Sequence, residues 1–338
     1  MENMKRIALW DNLKFLLITF VVIGHFAEAF CESSQVCRGI YVCIYAFHMP
    51  LFLFISGLFH SNRNITSKCL FFISVGFARK IMMVLVRLLV GKDANFELLA
   101  DNGLPWFMFV LAIYTFVMYL LRNKNKTYLL VAGIILACFV GFDKSIGDYL
   151  YISRTIIFFP CYVLGTMINP NALVDFKKRF RWLLPLGALV LVVWAFCCFA
   201  KTDIFYKLRP LFTGRNPFSF SIEAYGPPVR LLCYFITAVT SFSIIILVPS
   251  SHISMISRMG THSLDVYFWH GLILVLLNNF AHLGDLFVSL PGKILYFVIA
   301  ILLSVILSQG GFISYPLNKL KQLCYYDIRK EKNKNQPA

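Results

Sequence analysis

Stretches of about twenty apolar residues recur from one end of this chain to the other, and that repetition constrains the fold most. A hydrocarbon layer about 30 Å thick takes about 20 helical residues to cross. No water inside it satisfies backbone N–H and C=O groups, so such a chain folds as helices or as a closed barrel. Continuous rather than alternating apolar runs select helices. Windows of this length place spans near 8–30, 41–60, 70–90, 104–121, 127–142, 153–168, 182–200, 229–249, 264–281 and 294–315. The expected fold is an all-α integral membrane protein, a bundle of about ten transmembrane helices. Only 14% of the 338 residues are charged and 59% are hydrophobic, with mean hydropathy +0.72. A soluble domain carries about 25% charged residues, so disordered chains, disulfide-stapled secreted domains and almost all soluble enzymes are excluded.

The net charge of +16 would suggest nucleic-acid binding in a soluble protein. Here much of it follows the positive-inside rule, and no nucleic-acid partner is expected. Lys5 and Arg6, Arg63 and Lys68, the 122–126 and 177–181 clusters, Arg258 and the basic tail fall on alternate connections. That richer set predicts both termini in the cytoplasm and a multi-pass protein of the cytoplasmic membrane. Residues 6–317 read as one transmembrane domain and 318–338 as a basic cytoplasmic tail against the anionic lipid surface. The apolar run Ile7–Phe30 is too long for a signal-peptide core and reads as a retained first span. The third span is the least regular, because Arg79, Lys80 and Arg87 interrupt it. Either 61–80 lie along the interface or these cations face a water-filled cavity. The ten cysteines are scattered, with no Cys-x-x-Cys, so no metal site is expected. Cys31 and Cys37 could pair if their loop faces an oxidising compartment.

Ionisable groups inside lipid are expensive and point to function. The first span holds Asp11, Lys14, His25 and Glu28. Eleven helical steps bring Lys14 and His25 to within about 20° of one face, about 16 Å apart along the axis. A plain alternative is that Lys14 snorkels to the headgroups and His25 makes one interhelical hydrogen bond. His48 begins the second span beside Pro50, which removes a backbone donor. If that span runs inward, His48 lies at about the depth of His25. Ser56 and Gly57 leave room for close approach by a helix or ligand. His270 falls in the ninth span.

Asp11-Asn12-Leu13-Lys14, Val21-Val22-Ile23-Gly24-His25 and Phe47-His48-Met49-Pro50-Leu51-Phe52-Leu53-Phe54-Ile55-Ser56-Gly57 resemble the membrane acyltransferase 3 family, in its branch of fucose 4-O-acetylase and related acetyltransferases. Leu104-Pro105-Trp106-Phe107, Arg154 with Phe159-Pro160-Cys161-Tyr162-Val163-Leu164-Gly165, and Gly260 through His270 continue the resemblance in order over about residues 6–315. It implies acyl transfer, most often of acetyl from cytoplasmic acetyl-CoA, to a sugar hydroxyl of an envelope polysaccharide or glycolipid. Acyl-CoA would be a donor substrate; no tightly bound cofactor is expected.

The resemblance also implies a basic-x10-His pair, which Lys14 and His25 satisfy. The family's arginine pair near the third span is replaced by Arg79 and Lys80. In chemical terms, O-acyl transfer needs a base for the hydroxyl and donors for the oxyanion. His25 is the expected base or acyl carrier, oriented by Glu28 and assisted by His48. Lys14, Arg79 and Lys80 are expected to meet the CoA phosphates. Trp106, Arg154, Ser56 and His270 are expected to bind the saccharide acceptor. A transporter or flippase for a lipid-linked saccharide is the rival, since it too needs intramembrane charge and a lumen.

Overall fold

The computed structural model describes residues 6–93, 95–100 and 103–325, and the elements assigned among them are helices. The first is α1 (Ala8–Glu28), followed by α2 (Gln35–Tyr45), α3 (His48–Leu58) and α4 (Ile65–Leu89). Next come α5 (Trp106–Leu120), α6 (Lys126–Phe139), α7 (Ile152–Met167), α8 (Pro170–Arg179) and α9 (Leu183–Ala200). Three short helices, α10 (Thr202–Tyr206), α11 (Arg209–Phe212) and α12 (Phe220–Glu223), fold over one end of the bundle. The chain closes with α13 (Gly226–Leu247), α14 (Ser254–Gly260), α15 (Ser263–Phe280), α16 (Leu290–Leu307) and α17 (Tyr315–Cys324). Seven stretches among the described residues are long and apolar enough to cross a membrane: α1, the broken pair α2–α3, α4, α7 with its leading turn, α9, α13 and α16. The apolar helices α5 and α6 are shorter. The chain is an integral membrane protein.

Charge and burial run opposite to those of a soluble fold. Large apolar side chains such as Val192 and Phe196 on α9, Phe235 on α13 and Leu302 on α16 face outward. Polar groups gather inside, including Asp11, Asn12, His48, Arg79, Arg154 and His270. That arrangement suits a solvent in which outward apolar surface carries no penalty. At the centre is α1, whose Leu9, Trp10, Leu13, Leu17, Val22 and Phe26 are almost wholly enclosed. Its Asn12 amide donates to the carbonyls of Pro249 and Ser251 at 2.9 and 3.0 Å and accepts from Ser257 at 2.6 Å. Gly260 on α14 packs so closely that a Cβ there would overlap the Asp11 carbonyl. A second tight crossing joins α3 to α7. A Cβ on Gly57 would stand 2.1 Å from the Tyr162 carbonyl oxygen, and one on Gly165 the same distance from that of Phe54. Small residues let the two backbones touch, which is how membrane helices associate without a hydrophobic drive.

The break between α2 and α3 sets up the site. Pro50 lies in the first turn of α3, where its missing N–H frees the carbonyl of Ala46. Thr237 on α13 donates its hydroxyl to that oxygen at 2.6 Å. Beside it, Trp194 Nε1 on α9 donates to the Cys43 carbonyl at 3.1 Å, and His48 Nδ1 reaches that of Ile44 at 2.9 Å. Trp194 and Thr237 thus satisfy two backbone acceptors that an unbroken helix would satisfy itself, while the Ile44 carbonyl also accepts from the Phe47 N–H at 3.2 Å.

Two sequence expectations are resolved here. The third span is one 25-residue helix, α4, and Arg79 and Lys80 line a cavity, the second of the two alternatives. Cys31 and Cys37 are free and buried, and the Cys31 thiol donates to the Ala27 carbonyl at 3.4 Å. The last helix, α17, runs through residue 317 to Cys324 and lies against α4 with Leu317 buried. Tail residues 326–338 lie outside the described residues.

Candidate active site

A cavity of about 700 Å³ opens at the end of the bundle where α1 finishes and α10–α12 fold over. His25, Glu28, Tyr45 and His48 line it from α1, α2 and α3, and Arg79 and Lys80 from α4. Trp106, Arg154 and Arg209 complete its rim.

The last turn of α1 carries the central arrangement. Glu28 is one turn beyond His25, so both project from one face. His25 Nδ1 is 3.1 Å from Glu28 Oε2. The Tyr45 hydroxyl donates to the same oxygen at 3.3 Å and lies 3.4 Å from His25 Nδ1. Arg209 Nη2 donates to the other carboxylate oxygen at 3.0 Å. A carboxylate can only accept, so the pair fixes the proton of a neutral His25 on Nδ1 and leaves Nε2 with a free lone pair. The same logic applies to His48, whose Nδ1 proton is directed at the Ile44 carbonyl. His25 Nε2 and His48 Nε2 are therefore both hydrogen-bond acceptors.

Arg209 is itself held from several sides. Its guanidinium lies 4.8 Å from the centre of the Tyr41 ring, and Nη1 donates to the Tyr206 hydroxyl at 3.0 Å. Tyr41 in turn stacks on Tyr45 at 3.6 Å between centroids. Burial lowers the pKa of Arg209, but Tyr41, Tyr206 and the Glu28 carboxylate beside its guanidinium together raise it above its ordinary value. Replacing Arg209 with methionine is expected to free Glu28 and misorient His25, lowering turnover about tenfold or more, since small misplacements of reacting groups cost up to about 10². Steady-state kinetics would check this, and unchanged kcat in a folded variant would refute it.

The other expected site residues divide clearly. Trp106 stacks on Phe158 at 5.5 Å, and the Arg154 guanidinium lies 4.8 Å over the indole, forming an aromatic and cationic rim. Lys80 donates to the carbonyls of Glu97, Leu98 and Ala100 at 2.6, 3.0 and 3.3 Å, pinning the 97–100 segment beside the cavity. Lys14 is not brought together with Arg79 and Lys80. It sits near the opposite end of α1, 3.3 Å from Asp11 and over the Phe59 ring. Ser56 is likewise apart, its hydroxyl bonded to the Phe52 carbonyl at 2.9 Å. His270 is fully buried and does not line the cavity; its ring lies behind His25 at 5.4 Å. Sequence reasoning left Tyr41 and Tyr45 out of the site. Their i,i+4 spacing just before His48 was the available signal.

An acyltransferase-domain family model, that of the acyltransferase 3 family, matches residues 7–309. With that match over nearly the whole chain, this membrane-embedded helical protein belongs to the acyltransferase 3 family and is a membrane acyltransferase. Comparison with curated proteins and with solved structures returned no match.

Proposed function

We propose that this protein moves an acyl group, acetyl in the first instance, from cytoplasmic acyl-CoA to a sugar hydroxyl of an envelope polysaccharide or glycolipid. The observation that carries this reading is the His25–Glu28 pair on the wall of a cavity large enough for a saccharide. In this reading His25 Nε2 takes the acceptor proton while Glu28 holds the ring, and His48 Nε2 orients the hydroxyl. Trp106 and Arg154 offer an aromatic face and donors to the sugar. The donor approaches from the Lys14 end, about 16 Å along α1 from His25 by helical rise. The protein is then a ten-span bundle, with α5, α6 and α15 crossing as well and both termini cytoplasmic. The 201–228 connection lies on the far side of the cytoplasmic membrane.

Purified protein in nanodiscs, given radiolabelled acetyl-CoA and a panel of saccharides, should place label on a glycan hydroxyl. Thiol labelling of a cysteine at position 215, on a background without native thiols, should occur from outside only. Saccharide movement across vesicles without acylation would favour the flippase, and labelling of position 215 from the cytoplasm alone would reverse the topology.

A further inference from the structure

Directly behind His25 stands a residue that the cavity does not use. His270 has no exposed surface. Its Nδ1 is 2.7 Å from the Val266 carbonyl one turn back on α15, so the proton of the neutral ring sits on Nδ1 and Nε2 is a bare acceptor. Nε2 is buried and has no hydrogen-bond partner among the described residues. A buried acceptor without a partner is costly and calls for an explanation. Nε2 lies at the tip of the ring farthest from the α15 backbone, and the His25 ring lies 5.4 Å away at an interplanar angle of 31°.

We propose that His270 is a positioning residue for His25: its bare Nε2 stabilises the positive charge His25 acquires when it accepts a proton or an acyl group. This rests on His25 being the reacting base. In that step the acceptor hydroxyl proton moves to His25 Nε2. The sugar oxygen bonds the acyl carbon as the carbon–sulfur bond breaks, and the proton then passes to the CoA thiolate. His270 neither gains nor loses a proton. It supplies the negative end of a fixed ring dipole where little water screens it, and such preoriented dipoles act most strongly where charge develops.

Other groups around His25 complete the setting. Glu28 faces it from α1, Tyr45 with Tyr41 behind it from α2, His48 from α3 and Arg209 from α11. Arg79 on α4 approaches α15 at Gly271, where a Cβ would stand 2.7 Å from its guanidinium. From α16, the Tyr296 hydroxyl donates to the Phe26 carbonyl at 3.1 Å, away from His25. Arg258 on α14 bonds Gln309.

The test uses an acylating reagent as well as the natural reaction. Diethyl pyrocarbonate transfers an ethoxyformyl group to an imidazole nitrogen with loss of ethyl carbonate, and the His25 ring is cationic until Nδ1 releases its proton. The rate of modification of the His25 peptide, followed by mass spectrometry at fixed pH, reads His25 directly and needs no enzyme turnover. His270→Phe keeps the ring shape without a lone pair, and His270→Gln restores a carbonyl acceptor. His270→Phe should slow modification of His25 about tenfold and lower kcat by a similar factor with the KM for acetyl-CoA unchanged. His270→Gln should recover most of both. A folded His270→Phe protein modified at the wild-type rate overturns the proposal. If His270→Phe does not fold, His270→Met is compared with His270→Gln, and equal rates in those two overturn it. A change in modification rate in a protein that acylates no saccharide would refute the proposed function while leaving the His25–His270 coupling standing.

Discussion

Replacing His25 with glutamine is expected to lower acyl transfer by 10²- to 10⁴-fold, the range general acid–base groups contribute. Glutamine has about the reach of histidine and can still hydrogen-bond Glu28, but it offers no basic lone pair at the Nε2 position. The same change should leave helix content and thermal midpoint close to wild type, because the His25 side chain borders an open cavity and is about one-quarter exposed. His48→Ala should lose less, since the part proposed for it is to orient the hydroxyl. Transfer rates from labelled acetyl-CoA in matched nanodisc preparations decide the matter. A folded His25→Gln variant turning over near the wild-type rate would show that the proton goes elsewhere.

An equally large effect, on assembly rather than chemistry, is expected from Gly165→Leu. The position has no spare volume: its Cβ would meet the Phe54 carbonyl oxygen at 2.1 Å and the Leu58 nitrogen at 2.9 Å, both backbone atoms. Backbone cannot rotate aside as a side chain can, so α3 and α7 must part. Overpacking a close-fitted contact costs about 1–3 kcal/mol or more, and here the whole branched chain must be housed. Since α3 begins at His48, separating the pair also displaces one wall of the cavity. Thermal melting in detergent should show a clearly lowered midpoint and a broadened size-exclusion peak. A Gly165→Leu protein that melts like wild type would mean that the crossing is not a tight one.

Much of this fold was legible because lipid imposes a simple rule on sequence. The sequence windows match the observed helices to within a few residues at most ends, and the His25–Glu28 pairing follows from one helical turn on a single element. His48 beside Pro50 also signalled the break at which the site forms. What stayed hidden depends on distant chain meeting distant chain. Arg209 reaches Glu28 across 181 residues, and nothing local to either marks the other. Lys14 and His25 share a face of α1, as spacing requires, yet Lys14 engages Asp11 while the cations that share the cavity with His25 come from elements as far along the chain as α4, α7 and α11. His270 enters the expected site only through the family resemblance, as an acceptor-binding residue. Only the way α15 lies against α1 shows that it stands behind His25 rather than in the cavity.

The interrupted second span also bears on the order in which the molecule is made. Its loose carbonyls at Cys43 and Ala46 are capped by Trp194 and Thr237, which leave the ribosome 151 and 191 residues later. During synthesis the Pro50 kink therefore enters the bilayer with backbone oxygens that nothing nearby in the chain can satisfy. Until α9 and α13 arrive, this span must keep those oxygens hydrated or shielded by the insertion machinery. The wall that bears His48 therefore sets late, and the candidate site comes into being only once nearly three-quarters of the polypeptide has been threaded into the membrane.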